Sequence, residues 1–213
     1  KGVMKQYEDY LVEGEEHLKA SRPDLALPQL LRALDQVPAG TERAHLNNTI
    51  ARIRDLMGEK GEAEAQFLRT LEEPENGEAA LGEQKAIALN NLGRLHLPND
   101  PSRAIGYFDQ SVAIYEKLAD GEAFFGPHLA HTFMARGEAY FLKEKFWFAK
   151  KDYKRALELH KEQGDILQTD MLALAYYHYW GHKDYERALA ELEAIGGAAS
   201  NNAQVLEARG YIL

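Results

Sequence analysis

The chain has 213 residues, of which 45% are hydrophobic and 28% are charged, a composition typical of a folded chain rather than a disordered one. Its net charge of −9, from 25 basic and 34 acidic residues, disfavours a nucleic-acid-binding function, because phosphate neutralisation requires clustered lysine and arginine. The sequence has no cysteine, which excludes disulfides and thiolate chemistry, and no apolar stretch long enough to span a membrane.

Apolar residues recur every three or four positions through most of the chain, which predicts a succession of helices. Pro23 suits the first turn of the second helix, but Pro28 lies five residues further on, where its missing N–H removes a backbone hydrogen bond. That helix is therefore predicted either to start late or to kink. Thr41, after a clear break at Pro38, is a candidate N-cap. In this part of the chain we predict helices over 5–20, from 23, over 42–57 and over 61–73.

In the middle of the chain, Pro98 to Pro101 separates two further helices, and Asp100 before Pro101 is typical of an N-cap followed by a first-turn proline. After a linker that ends at Pro127, the sequence contains no proline. The helices predicted from here to the end are 82–97, 101–119, 128–143, 146–162, 165–181 and 184–195, with a trailing helix from Asn202.

Small and bulky residues recur in register within successive helix pairs. Gly137 and Ala149 are small enough to let two helix backbones approach, while Tyr140 and Tyr153 fill the remaining space. The alanines in register with Ala149, which we call the register alanines, are 37, 41, 45 and 39 residues apart: Ala26, Ala63, Ala104, Ala149 and Ala188. These spacings resemble the tetratricopeptide repeat, in its long-period form of about 40 residues that includes kinesin light chain and Rap-like bacterial regulators.

The resemblance implies one repeat domain over residues 1–213. Its fold class would be an all-α, right-handed superhelical α-solenoid of about five helix-turn-helix hairpins plus a trailing helix. Each hairpin buries its apolar side only against its neighbours. The expected repeats are 5–38, 42–74, 82–119, 128–162 and 165–197, with a partial sixth over 201–213.

In tetratricopeptide proteins the first helix of each hairpin lines the concave side, where partners lie. The resemblance therefore implies that Asn48 and Arg52 of the second hairpin are exposed, with Asn90, Asn91 and Arg94 of the third. The Asn-x-x-x-Arg pair recurs 42 residues later, so we expect two parallel rows of side chains. Amides can bond a peptide backbone and guanidinium groups can bind a carboxylate.

The later positions of the expected groove carry apolar, aromatic and polar side chains. The clamp that some family members use for chaperone tails is incomplete, since its lysine and final arginine are missing here. Aromatic residues at the later positions suit an amphipathic partner, but such residues more often pack against the neighbouring hairpin. The groove residues predicted in this part are His131, Glu138, Tyr177 and Trp180.

Phe146, Trp147 and Phe148 stand in a row among lysines, and the repeat requires only one of the three. Trp147 or Phe148 is therefore expected to point outward. Three interpretations remain open: packing beneath the linkers, a contact with another copy or a partner, and stacking on RNA, which the net charge disfavours.

The sequence contains no Walker loop, dinucleotide fingerprint, nucleophile elbow or zinc-protease motif, so we expect no catalysis, no cofactor and no metal. We predict a non-catalytic scaffold that holds a protein or peptide in the groove, without nucleic-acid or membrane partners. The alternatives are a peptide-sensing module of a larger signalling or transcription-control protein, and an oligomerisation module. Because the chain starts at Lys1 and stops early in a sixth repeat, we interpret it as a fragment from which a signal peptide could have been removed. We expect a cytoplasmic location.

Overall fold

The computed structural model describes residues 6–75, 77–119 and 125–162, and ten residues further on: 174, 175, 177, 178, 183, 184, 186–188 and 190. The first three ranges form α1 (Tyr7–Lys19), α2 (Pro23–Leu34), α3 (Thr41–Leu56), α4 (Lys60–Leu71), α5 (Ala79–His96), α6 (Pro101–Ala119), α7 (Gly126–Leu142) and α8 (Phe146–Glu162). No strand occurs in the part of the chain described, and the all-α class predicted from the sequence is confirmed.

The chain divides into two compact units, Lys1–Leu95 and His96–Leu213. In the first unit α1 packs on α2 and α3 on α4, with a smaller contact between α2 and α3. In the second unit α6 packs on α7, and α7 packs on α8. In each of these pairs the two helices follow one another in the sequence, as expected of stacked hairpins.

The register alanines all lie in the interior of the protein. All five have no exposed surface: Ala26, Ala63, Ala104, Ala149 and Ala188. Two glycines, Gly14 and Gly137, lie against a bulky side chain of the helix that follows. A Cβ on Gly14 would lie 2.5 Å from Leu30 Cδ2, and one on Gly137 would lie 2.6 Å from Tyr153 Cδ1. The sequence prediction that small residues mark tight helix crossings is confirmed.

The hairpin turns share one backbone feature. A residue with positive φ stands five positions before four of the register alanines: Ser21 (φ 56°), Gly58 (82°), Glu144 (56°) and Lys183 (53°). In three of these turns the next N–H bonds the carbonyl five residues earlier, at 2.8 to 2.9 Å, which is the Schellman arrangement that ends a helix: Arg22 to His17, Glu59 to Arg54, and Lys145 to Tyr140.

The first residues and N-caps of the helices agree only in part with those predicted from the sequence. Asp100 caps α6 as predicted, because its Oδ1 accepts the Arg103 N–H at 3.0 Å. Thr41 is the first residue of α3 rather than its cap, and its hydroxyl donates instead to Glu78 Oε2 at 2.7 Å. The late start considered for the second helix is wrong, since α2 begins at Pro23 and includes Pro28.

The predicted fifth hairpin is described only in part. Leu174 and Tyr177 pack into a core with Ala149 and Tyr153 of α8. The rest of the helices predicted over 165–181 and 184–195 lies largely outside the described residues, and the partial sixth repeat over 201–213, with its trailing helix from Asn202, lies wholly outside them.

Candidate functional site

Asn48 was expected on an exposed face of α3, but it is buried, with 3% of its surface exposed. Its Nδ2 donates to the Gln84 backbone carbonyl at 2.9 Å and to Gln84 Oε1 at 3.1 Å. Its Oδ1 accepts the Thr70 hydroxyl at 3.1 Å. The prediction of an exposed Asn48 is wrong, because α5 covers this side of α3 and the amide links α3, α4 and α5.

Arg52, one turn further along α3, is exposed and makes no hydrogen bond or ion pair with the described residues. Leu56 follows four residues later, on the same side of the helix, with 82% of its surface exposed. Met57 next to it is 43% exposed. The end of α3 therefore presents a guanidinium that is unpaired among the described residues, with an exposed leucine one turn further along on the same side.

On α5 the three predicted residues differ from one another. Arg94 is exposed, and its Nε donates to Asn90 Oδ1 at 3.1 Å one turn earlier. Asn91 is half-buried, and its Nδ2 donates to the Ile87 carbonyl at 3.0 Å. Asn90 thus orients the Arg94 guanidinium, while the Asn91 amide is engaged by its own helix.

The cross-helix bonds fix how α3 and α5 align. Thr41 lies against Glu78 and Asn48 against Gln84, so partners are 36 or 37 residues apart. Asn90 is six residues beyond Gln84, about 9 Å further along the helix. The two Asn-x-x-x-Arg pairs are therefore staggered along their helices rather than level with one another.

In the second unit, the predicted groove residues divide between surface and core. His131 and Glu138 are exposed, and His131 Nδ1 lies 2.7 Å from the Pro127 carbonyl oxygen. Tyr177 is only 1% exposed and packs beside Tyr153, with Lys150 Nζ 5.0 Å from its ring centroid. The prediction of Tyr177 as a groove residue is wrong, since it fills space in the core. Trp180 lies outside the described residues.

Trp147 and Phe148 both point outward, as expected, with 66% and 46% of their surfaces exposed. Their rings meet edge to face at 5.0 Å, and Phe148 stacks on Tyr140 at 5.2 Å. Phe146 turns inward against Phe141. The start of α8 therefore carries two aromatic rings on its outer surface.

A polar cleft in the first unit was not anticipated from the sequence. Its volume is about 450 Å³ and its lining comes from α2, α3 and α4: Leu34, Asp35, Arg43, Asn47, Arg69, Glu72 and Glu73. Arg43 binds the buried Glu73 carboxylate through two nitrogens, at 2.6 and 3.2 Å, and the Gly40 N–H also donates to Glu73, at 2.9 Å. These contacts tie the turn before α3 to the end of α4, and we assign the cleft a structural role. No spacing signal in the sequence marks it.

A second buried ion pair connects the helices of the other unit. Arg136 of α7 donates to both Asp152 oxygens of α8, at 2.7 and 2.8 Å, and to Asp109 of α6 at 2.8 Å. Burial opposes the Arg136 charge, but the hydrogen bonds with Asp152 and Asp109 outweigh it and raise the pKa of the guanidinium. Burial also raises the pKa of the Asp152 carboxyl, against the opposing effect of Arg136. These groups hold α6, α7 and α8 together.

Within the described ranges, no group of three or more histidine or acidic side chains is arranged to hold a metal ion. No helix described there is both long and apolar enough to cross a bilayer. Among the described residues predicted as partner contacts, exposed side chains occur on α3, α5 and α7 and at the start of α8.

Solved structures with the same fold were found by comparison. RapI in its apo form has a TM-score of 0.77 at 16% identity, over 89% of this chain and 68% of that one. BtubC (BKLC) from P. vanneervenii has a TM-score of 0.72 at 18% identity, over 96% and 80%. A STAND signal-transduction ATPase with a tetratricopeptide repeat sensor, from Pyrococcus horikoshii, has a TM-score of 0.72 at 16% identity, over 95% of this chain and 30% of that one. No family model and no curated protein sequence matches the chain. Identities this low show the fold alone, and that fold is the helical-repeat solenoid of tetratricopeptide proteins, as the residue spacing predicted.

Proposed function

We propose that this chain, a tetratricopeptide-type helical repeat, is a non-catalytic scaffold that holds a segment of a protein partner on the exposed ends of α3 and α5. The observation that carries the proposal is Arg52, an exposed cation without a partner among the described residues. Repeat solenoids present their helices as extended binding surfaces, and fold alone does not name the ligand.

The side chains around Arg52 indicate the chemistry of the segment. An exposed guanidinium can accept a carboxylate through two parallel hydrogen bonds. Arg94, oriented by Asn90, offers a second cation in the same unit. The exposed Leu56, one turn from Arg52 on the same side of α3, would be covered by an apolar side chain of the partner. The scaffold would thus select a segment that carries an acidic group close to an apolar residue.

A peptide selection tests this proposal. Peptides selected from a random displayed library on the purified chain should be enriched in an acidic residue close to an apolar one. The variant Arg52→Ala/Arg94→Ala should weaken their binding about tenfold, equivalent to about 1.4 kcal/mol. The matched control, Arg22→Ala/Arg187→Ala, removes two exposed arginines elsewhere and should bind as wild type does. Equal binding by the wild type and the Arg52/Arg94 variant, or a selection without such enrichment, would refute the proposal.

The second candidate function is that of a peptide-sensing module of a larger protein. The match of this chain to one part of the longer STAND protein favours it. Ninety-five percent of this chain matches 30% of a protein whose tetratricopeptide part is described as a sensor. A sensor must change conformation when it binds, whereas a scaffold need not. Hydrogen exchange distinguishes the two functions on a selected peptide: protection confined to α3 and α5 supports the scaffold, and protection or exposure spreading to other hairpins supports the sensor.

A further inference from the structure

The start of α8 carries exposed aromatic rings surrounded by lysines, although the chain as a whole is negatively charged. We call the residues Lys145, Trp147, Phe148, Lys151 and Lys154 the aromatic–lysine patch. All five side chains are exposed. Leu142, the last residue of α7, is also exposed, at 53% of its surface. An exposed tryptophan beside an exposed phenylalanine is unusual on a surface without a partner.

Helical spacing places the members of the patch together. Trp147, Lys151 and Lys154 are separated by four and three residues and so lie on one side of α8. Lys151 Nζ lies 6.0 Å from the centroid of the Trp147 ring. Phe148 is held by its stacking on Tyr140 and by the edge of Trp147. The rings are therefore fixed in position, while the lysine side chains around them reach into solvent.

The positive charge of the segment around the patch indicates the chemistry of its partner. Between residues 142 and 155 the sequence has six basic side chains and two acidic ones, a net charge of +4 in a chain whose net charge is −9. One of the acids, Asp152, is buried against Arg136. Lys145 and Lys154 form no ion pair with the described residues. The patch is therefore a basic surface on an acidic molecule.

We propose that the aromatic–lysine patch docks an acidic protein segment that carries a bulky apolar side chain. The apolar side chain would cover Trp147 and Phe148, which are residue types that dominate binding energy at interfaces. Aspartate and glutamate around it would face the lysines, which speeds association and fixes orientation. A symmetric contact with a second copy is disfavoured, because it would place one +4 surface against another. The patch lies on a different helix, in the other unit, from the residues of α3 and α5 on which the scaffold proposal rests, so the proposal goes beyond the scaffold function.

Binding of a defined probe tests the proposal. The probe is a fluorescein-labelled twelve-residue peptide in which aspartate and glutamate flank a Trp-Leu pair, titrated with the chain by fluorescence anisotropy. Binding should weaken as salt is raised, since exposed charges are screened over about 10 Å at 0.1 M. Trp147→Ala/Phe148→Ala and Lys151→Glu/Lys154→Glu should each raise the dissociation constant about tenfold.

Matched controls are available on the first unit. Val12→Ala/Leu68→Ala removes exposed apolar groups, and Lys19→Glu/Lys60→Glu reverses two exposed lysines. Both should bind the probe as wild type does, and so should Arg52→Ala/Arg94→Ala, which separates this test from that of the scaffold. The proposal is overturned if the patch variants bind normally, if a lysine-for-acid probe binds equally well, or if the acidic probe does not bind. It is also overturned if light scattering shows a dimer that Trp147→Ala dissolves, or if a labelled single-stranded RNA outcompetes the peptide.

Discussion

Tyr153 lies so close to Gly137 that the glycine has no room for a side chain: a Cβ there would stand 2.6 Å from Tyr153 Cδ1. The ring is buried, and burial raises the pKa of its hydroxyl, with Glu138 and Asp152 adding to the rise. Gly14 and Leu30 repeat the relationship in the first unit, at 2.5 Å. In both hairpins the first helix approaches the second at a glycine, and the side chain opposite fills the space that a Cβ would occupy.

Gly137→Ala should therefore destabilise the chain, although alanine is the better helix former. Overpacking a filled core typically costs about 1–3 kcal/mol, measured as the free energy of unfolding in urea. Gly106→Ala is the matched control, because Gly106 is an exposed glycine in α6 with nothing within 4 Å of its Cβ position. That control should stabilise by about 0.5–1 kcal/mol. If both substitutions stabilise, the tight crossing at Gly137 is not real.

Much of the packing could be predicted because it follows from local spacing. The register alanines and Gly137 are small residues at repeated distances in the sequence. Because the helix has a fixed period, this spacing alone decides which side of the helix they occupy, whichever helices pack against it. The outward direction of Trp147 and Phe148 followed in the same way, since the hairpin needs only Phe146 inside.

The candidate site could be predicted less well, because it depends on which helix covers which. Asn48 and Arg52 stand four residues apart on the same helix, so periodicity treats them alike. Asn48 is buried and Arg52 is exposed only because of where α5 lies against α3. The arrangement of Arg43 and Glu73, 30 residues apart, likewise depends on tertiary contacts that no local pattern encodes.

The turn between α7 and α8 should become more stable with glycine at position 144. Glu144 has a φ of 56°, in the left-handed region where a side chain costs about 1–2 kcal/mol. Gly58 occupies the same register position in the turn between α3 and α4. Glu144→Gly is therefore expected to raise the free energy of unfolding by about 0.5–1 kcal/mol, after the entropy that glycine adds to the unfolded chain.

Its control is Glu116→Gly in the exposed interior of α6, where the same change should destabilise by about 1 kcal/mol. Thermal unfolding of the two variants should move in opposite directions. Destabilisation by both would show that position 144 does not hold the left-handed conformation.

Removing the Arg136 side chain should be among the most damaging single changes in the second unit. Arg136→Ala would leave the Asp152 carboxylate, whose side chain is 4% exposed, without its two hydrogen bonds. Losing one partner of a buried pair costs about 3–5 kcal/mol. Asp109→Asn, which alters the partner whose side chain is 51% exposed, should cost at most about 1 kcal/mol. Urea unfolding of the two variants measures the difference, and equal costs would mean that Asp152 is not buried.

Asn48 and Arg52 should separate stability from binding, although they lie one turn apart. Asn48→Ala removes the hydrogen bonds to Gln84 and Thr70 and should cost about 2 kcal/mol, because buried polar partners lose their bonds. Arg52→Ala removes an exposed side chain and should change the free energy of unfolding by no more than about 0.5 kcal/mol. The selected peptides should respond in the opposite order under folding conditions, weakly to Asn48→Ala and strongly to Arg52→Ala. If Asn48→Ala is as stable as wild type and binds poorly, Asn48 contacts the partner and α5 does not cover it.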